Sequence, residues 1–161
     1  MSAQPQNVLF GGDSEVPPRR RHAVFISDFV HLRRPFDQVA AKLLDPDAEW
    51  LTTADRSARR QRFNLTIGAA RRSGSSVIVP MRWEPQNLEH LLPVLEADMD
   101  LSSLDDGQCR LSISGRYSIP LAQIGVGIAL DRLGMHRVAE MAVRRFLSAM
   151  AETLKGNDRS S

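Results

Sequence analysis

The clearest pattern in the chain is an alternation. Leu95, Ala97, Met99 and Leu101 alternate with Glu96, Asp98 and Asp100. After the turn Asp105-Asp106-Gly107, Cys109, Leu111, Ile113, Gly115, Tyr117 and Ile119 alternate with Arg110, Ser112, Ser114, Arg116 and Ser118. Period two predicts two strands with one buried face each, and the Asp-Gly turn predicts that they form a hairpin. The polar faces carry opposite charge, which favours cross-strand pairing in that register. From Met135 the period changes: Val138, Ala139, Ala142, Val143, Phe146, Met150 and Leu154 form one helical stripe, with Arg137, Glu140, Arg144, Ser148 and Glu152 mostly opposite. Gly125 and Gly127 precede this helix, and Gly156 supplies a stop.

Upstream, residues 22–32 (HAVFISDFVHL) are β-branched and aromatic and predict a strand ended by Pro35, with both faces apolar enough to leave its inward side open. Phe36, Val39, Ala40, Leu43 and Leu44 predict a short helix stopped by Asp45-Pro46. Residues 47–60 are ambiguous between loop and short helix, with Trp50 and Leu51 expected to be buried. Residues 62–70 and 76–84 predict two more strands; Pro80 has no ladder donor and argues for an edge or a bulge. Residues 1–21, rich in Pro, Gly and Arg, are expected to form a mobile tail, and 156–161 to fray, leaving one domain over 22–155. An antiparallel sheet followed by one long helix buries the helix stripe on a sheet face, an α+β architecture.

An apolar fraction of 42% over 161 residues suffices for a real core. The single cysteine, Cys109, excludes an intramolecular disulfide and suits a reducing compartment. With no apolar leader run and no stretch long enough to span a bilayer, a cytoplasmic protein is the expectation. The net charge is +2, and the basic excess is local: residues 1–75 hold 12 Arg/Lys against 8 Asp/Glu. That patch lacks interleaved aromatics and any recognition motif, so no nucleic-acid partner is expected.

Candidate chemistry is sparse. His136 and Glu140 lie one helical turn apart and read as a surface pair, because a metal site needs a third ligand that nothing supplies. His31 and His90 are placed where a cavity mouth could use them as acid or base; His22 adjoins the tail. Cys109 falls on an apolar strand phase and is expected to be a buried, inert thiol. No Gly-x-Ser-x-Gly elbow, phosphate loop, Cys-x-x-Cys or His-Glu-x-x-His occurs, and Gly125-x-Gly127 lacks the rest of a dinucleotide fingerprint. No cofactor and no metal are expected. Trp83 and Tyr117 share strand phases with aliphatic residues and bring polar atoms that either meet backbone partners in a core or orient a ligand in a cavity. Asp98 and Arg116 are on the opposite phases.

The chain resembles the SRPBCC superfamily, also called START-like or polyketide-cyclase-like, in an uncharacterised bacterial branch. The segments that carry the likeness are Val79-Pro80-Met81-Arg82-Trp83, Leu92-Pro93-Val94, the acidic strand from Glu96 to Leu101, Gly115 to Leu121, Asp131-Arg132-Leu133, His136 to Glu140 and Arg145-Phe146-Leu147. Ala122 departs from the pattern, where relatives often have glycine. The resemblance implies the helix-grip fold, a curved antiparallel sheet wrapped around a long C-terminal helix, and a cavity between them for a sterol, lipid, polyketide or other small hydrophobic partner. Its expected lining is Met81, Trp83, Leu95, Ala97, Met99, Leu111, Ile113 and Tyr117 from the sheet, with Ile128, Val138, Ala142 and Phe146 from the helix. Three roles stand open. The first is a non-enzymatic carrier or sensor, a monomer or weak homodimer. The second is a cyclase- or aromatase-like enzyme using Tyr117 with His31 or His90 and an arginine. The third is an interaction module with a collapsed cavity.

Overall fold

A computed structural model describes residues 23–86, 94–118 and 128–156. The expected tails, Ile119, Gly125 and Gly127 lie outside those residues, apart from Gly156. The elements run β1 (Ala23–Leu32), α1 (Phe36–Leu44), α2 (Glu49–Arg60), β2 (Phe63–Ile67), β3 (Arg71–Ser73), β4 (Ser76–Pro85), β5 (Val94–Asp105), β6 (Gln108–Ser118) and α3 (Ile128–Lys155). The six strands form one antiparallel sheet in the order β1-β6-β5-β4-β2, with β3 also paired to β4.

The hairpin of β5 and β6 forms in the register that the alternation requires. Leu95 pairs with Tyr117, Met99 with Ile113 and Leu101 with Leu111, all buried on one face. At the turn, the Gly107 amide donates to the Asp105 carboxylate at 2.9 Å. On the opposite face Glu96 accepts from Arg82 at 3.0 Å and from Arg116 at 3.4 Å, bridging three strands. These pairs are half exposed and contribute about 0–1 kcal/mol each, so they favour the register more than the stability.

The first strand is resolved by its partners. Val24, Ile26, Asp28, Val30 and Leu32 face the helix side, whereas Phe25, Ser27, Phe29 and His31 face out, with Phe25 78% exposed. Pro80 explains the break expected near it. β2 pairs with residues 81–85 and β3 with 76–78, and the gap between them lies opposite Pro80, whose carbonyl accepts from the Gly68 amide at 2.8 Å. The ladder is interrupted where the proline has no N–H to give.

The ambiguous stretch 47–60 is a helix from Glu49 onward. Trp50, Ala54 and Ala58 form its buried stripe, and the arginines that obscured it point to solvent. Its small residues let it pack against α3, where the hydroxyls of Thr53 and Thr153 are hydrogen-bonded at 3.3 Å. α1 is tied to the end of α3 by Lys42 Nζ, which donates to the Leu154 carbonyl at 3.2 Å.

α3 begins at Ile128, seven residues before the expected start, and at 28 residues spans about 42 Å. Gly156 ends it in the left-handed region at φ 72°, donating to the Thr153 carbonyl. The buried stripe is Ala139, Val143, Phe146, Leu147, Met150, Ala151 and Leu154. It is rotated slightly from the expected one: Leu147 and Ala151 join it, and Val138 is 45% exposed. The Phe146 ring meets Trp83 edge-on at 5.2 Å and joins helix to sheet.

Candidate functional site

Packing between α3 and the sheet differs along the helix. From Val143 to Leu154 the stripe is closed against the core, with Phe146 and Met150 wholly buried. Two and five residues before Val143, Met141 and Val138 are nearly half exposed. Between this looser half and the end of the sheet lies a crevice. Phe63, Trp83, Leu95 and Tyr117 form its sheet wall, and Val138, Ala139, Ala142 and Val143 its helix wall. Trp83, Leu95 and Tyr117 form one row across β4, β5 and β6, because each pairs with the next. Counted out to its mouth the space is about 380 Å³, but only about 20 Å³ is free to the centre of a water-sized sphere. That is room for about one water.

The expected lining residues therefore divide. Trp83, Leu95, Tyr117, Val138 and Ala142 meet at the crevice. Met99, Leu111, Ile113 and Phe146 are wholly buried in the packed core behind it. Met81 and Ala97 also reach an open depression of about 580 Å³ that includes Phe25, Pro80 and Arg116 on the outer face. Ile128 opens α3, and its side chain lies outside the described residues. Among the described residues, large side chains from both layers fill the interior behind the crevice.

One polar constellation sits at this crevice. The hydroxyl of Tyr117, a buried residue, lies 2.9 Å from Nδ1 of His136. Nε2 of the same imidazole lies 3.1 Å from Glu140 Oε1. The pair expected at a helical turn is present, and it is joined to the sheet through the tyrosine. Burial, and secondarily the Glu140 charge, push the Tyr117 phenol above its ordinary pKa, so it stays protonated. The sequence did hold a signal for this contact: His136 lies three residues before Ala139 and continues the buried stripe toward the N-terminus. His31 does not share the site; it lies on the outer face of β1, its ring 5.4 Å from Phe29. His22 and His90 are outside the described residues.

Among the described crevice side chains the other polar atom is Trp83 Nε1. Cys109 is fully buried, and burial raises its thiol pKa. Among the described residues no group of three His, Cys, Asp or Glu could hold a metal ion, and no helix is long and apolar enough to cross a membrane.

No protein-family model matches the chain, and no curated protein matches it either. Solved structures do. Norcoclaurine synthase from Thalictrum flavum, in complex with dopamine and hydroxybenzaldehyde, is similar at a TM-score of 0.50 and 11% identity, over 97% of this chain and 100% of that one. A conserved protein from Geobacillus kaustophilus gives 0.49 at 12% identity, over 81% and 95%. The Zhui aromatase/cyclase from Streptomyces sp. R1128 gives 0.45 at 12% identity, over 86% and 98%. At such identities the likeness is one of fold. A curved six-stranded antiparallel sheet closed by a C-terminal helix is the helix-grip architecture, and that is the fold of this chain.

Proposed function

We propose that this protein binds a small hydrophobic molecule in the crevice between the sheet and the first half of α3. The observation that carries the reading is the carbon-lined crevice itself, open at Val138, which is 45% exposed. The later part of α3 is locked into the core, while in its first half Val138 leaves apolar surface open at the crevice mouth. An apolar ligand larger than a water enters by displacing that half, and it then covers surface that otherwise faces solvent. Burying about 200 Å² of ligand carbon contributes roughly 5 kcal/mol before association costs. Trp83, Leu95, Tyr117, Val138 and Ala142 are the proposed contacts. The similar norcoclaurine synthase was solved with small aromatics, which is an analogy of fold only. A carrier or sensor role in the cytoplasm, as a monomer or weak homodimer, belongs to the same proposal.

The cyclase-like alternative is favoured by one feature, the chain Glu140–His136–Tyr117 beside a carbon-lined space. A histidine between a carboxylate and a phenol can move a proton near neutral pH.

Native mass spectrometry of the purified protein, with organic extraction, tests the binding reading. An extractable apolar molecule at near-stoichiometric amount is the expected result. Ala142→Phe, which fills the crevice from the helix wall, is expected to lower its occupancy at least tenfold while leaving the far-ultraviolet circular dichroism unchanged. No extractable molecule, together with no saturable binding of 2-naphthol, overturns the reading.

A further inference from the structure

The donors and acceptors of the polar chain are fixed by elimination. The Glu140 carboxylate can only accept, so Nε2 of His136, 3.1 Å away, carries the imidazole proton. A neutral ring protonated at Nε2 has a bare Nδ1, which can only accept. The Tyr117 hydroxyl at 2.9 Å must then be the donor. A phenol has one proton. With that proton committed to His136, Tyr117 Oη offers the crevice lone pairs and nothing else.

We propose that the crevice selects molecules with an apolar body and one hydrogen-bond donor, a hydroxyl or phenol received by Tyr117 Oη, and that protonation of His136 reverses this preference. The proposal rests on the ligand-binding reading above. On protonation both ring nitrogens become donors. Nδ1–H then donates to Tyr117 Oη, and the phenol proton is released toward the crevice, which now presents a donor and favours acceptors such as ketones.

The groups around His136 allow this exchange. On its own helix it faces Glu140, with Arg137 exposed beside it. From β6 it meets Tyr117, whose neighbour on β1 is the uncharged Val24. The nearest charged side chain of β1 on the helix side is Asp28, which accepts from Arg144 at 3.5 Å, two turns further along α3. Glu96 and Arg116 lie on the opposite face of the sheet, paired to each other.

Two measurements test the proposal. In the free protein, nitrogen-15 spectra of the histidine side chains at about pH 8 are expected to show His136 as the Nε2–H tautomer; the Nδ1–H tautomer overturns the assignment. In calorimetric titration, 2-naphthol (a donor) and 2-acetylnaphthalene (an acceptor only) are compared at about pH 8 and about pH 5. At the higher pH the naphthol is expected to bind roughly threefold to tenfold more tightly, the worth of one net hydrogen bond. At the lower pH the ratio is expected to fall at least threefold. Tyr117→Phe is expected to erase the ratio, whereas a purely structural role for the phenol would weaken both probes alike. Binding of both probes with a ratio near one at both pH values overturns this inference alone; failure of both to bind removes the ligand-binding reading as well.

Discussion

Gly115 of β6 lies between Ile26 of β1 and Ala97 of β5 in the pairing order. A Cβ placed there would lie 2.7 Å from Ala97 Cα and closer still to Ala97 Cβ and the Glu96 carbonyl oxygen. Ordinary contact begins near 3.4 Å. Gly115→Ala therefore drives the strands apart by about 0.7 Å at that Cα, and the obstacle is backbone, which cannot rotate away. Overpacking costs about 1–3 kcal/mol, and a backbone clash belongs in the upper part, about 2–3 kcal/mol. For a chain of this length each kcal/mol lowers Tm by roughly 2–4 °C, giving a fall of about 4–12 °C. The displacement also reaches Tyr117, two residues along the same strand. Urea denaturation followed by tryptophan fluorescence measures the cost. Gly134→Ala is the control: an added Cβ on α3 meets nothing within 4 Å, so it is expected to stabilise by about 0.5–1 kcal/mol. A Gly115→Ala protein within about 0.5 kcal/mol of the parent refutes the close approach.

Two further outcomes follow from titratable groups. Asp100 is raised above 3.8 by burial first, with Asp98 adding to the shift and Arg110 opposing it. The native state therefore holds that proton more tightly than the unfolded chain, and the associated stability, full below 3.8, is lost as pH rises through the native value. Asp100→Asn is expected to be more stable than the parent at neutral pH, with the gain vanishing in denaturation at about pH 3; an equal gain at both pH values contradicts this. The Cys109 thiol, wholly buried and with its pKa raised by that burial, is expected to react with a disulfide reagent only after urea is added. Reaction of the native protein at the rate of a free thiol refutes its placement.

The parts of the fold legible from sequence are those governed by one strong period. The β5–β6 hairpin and, within the buried stripe of α3, Val143, Phe146, Met150 and Leu154 follow directly from alternation and helical spacing, whereas Leu147 and Ala151 fell outside the expected stripe. α2 was obscured because its buried positions after Trp50 are Ala54 and Ala58, small residues that contribute little hydrophobic contrast among the arginines. The inward face of β1 was undecidable because Phe25 and Phe29 are large, apolar and exposed, so pattern alone gave two equal faces. The site was the least legible. Whether an inward-facing residue lines a space or fills a core depends on how side chains from two layers meet, and the Tyr117–His136 contact joins a strand to a helix 19 residues later. Only His136's place on the stripe pointed toward it.

Hydrogen–deuterium exchange along α3, with and without saturating 2-naphthol, bears most directly on a crevice that opens by yielding of the helix. Amides of residues 136–142 are expected to exchange faster than those of 143–154 in the free protein and to gain protection when the probe binds. Uniform protection along the whole helix, or a bound probe that leaves residues 136–142 unchanged, contradicts the crevice as a binding site.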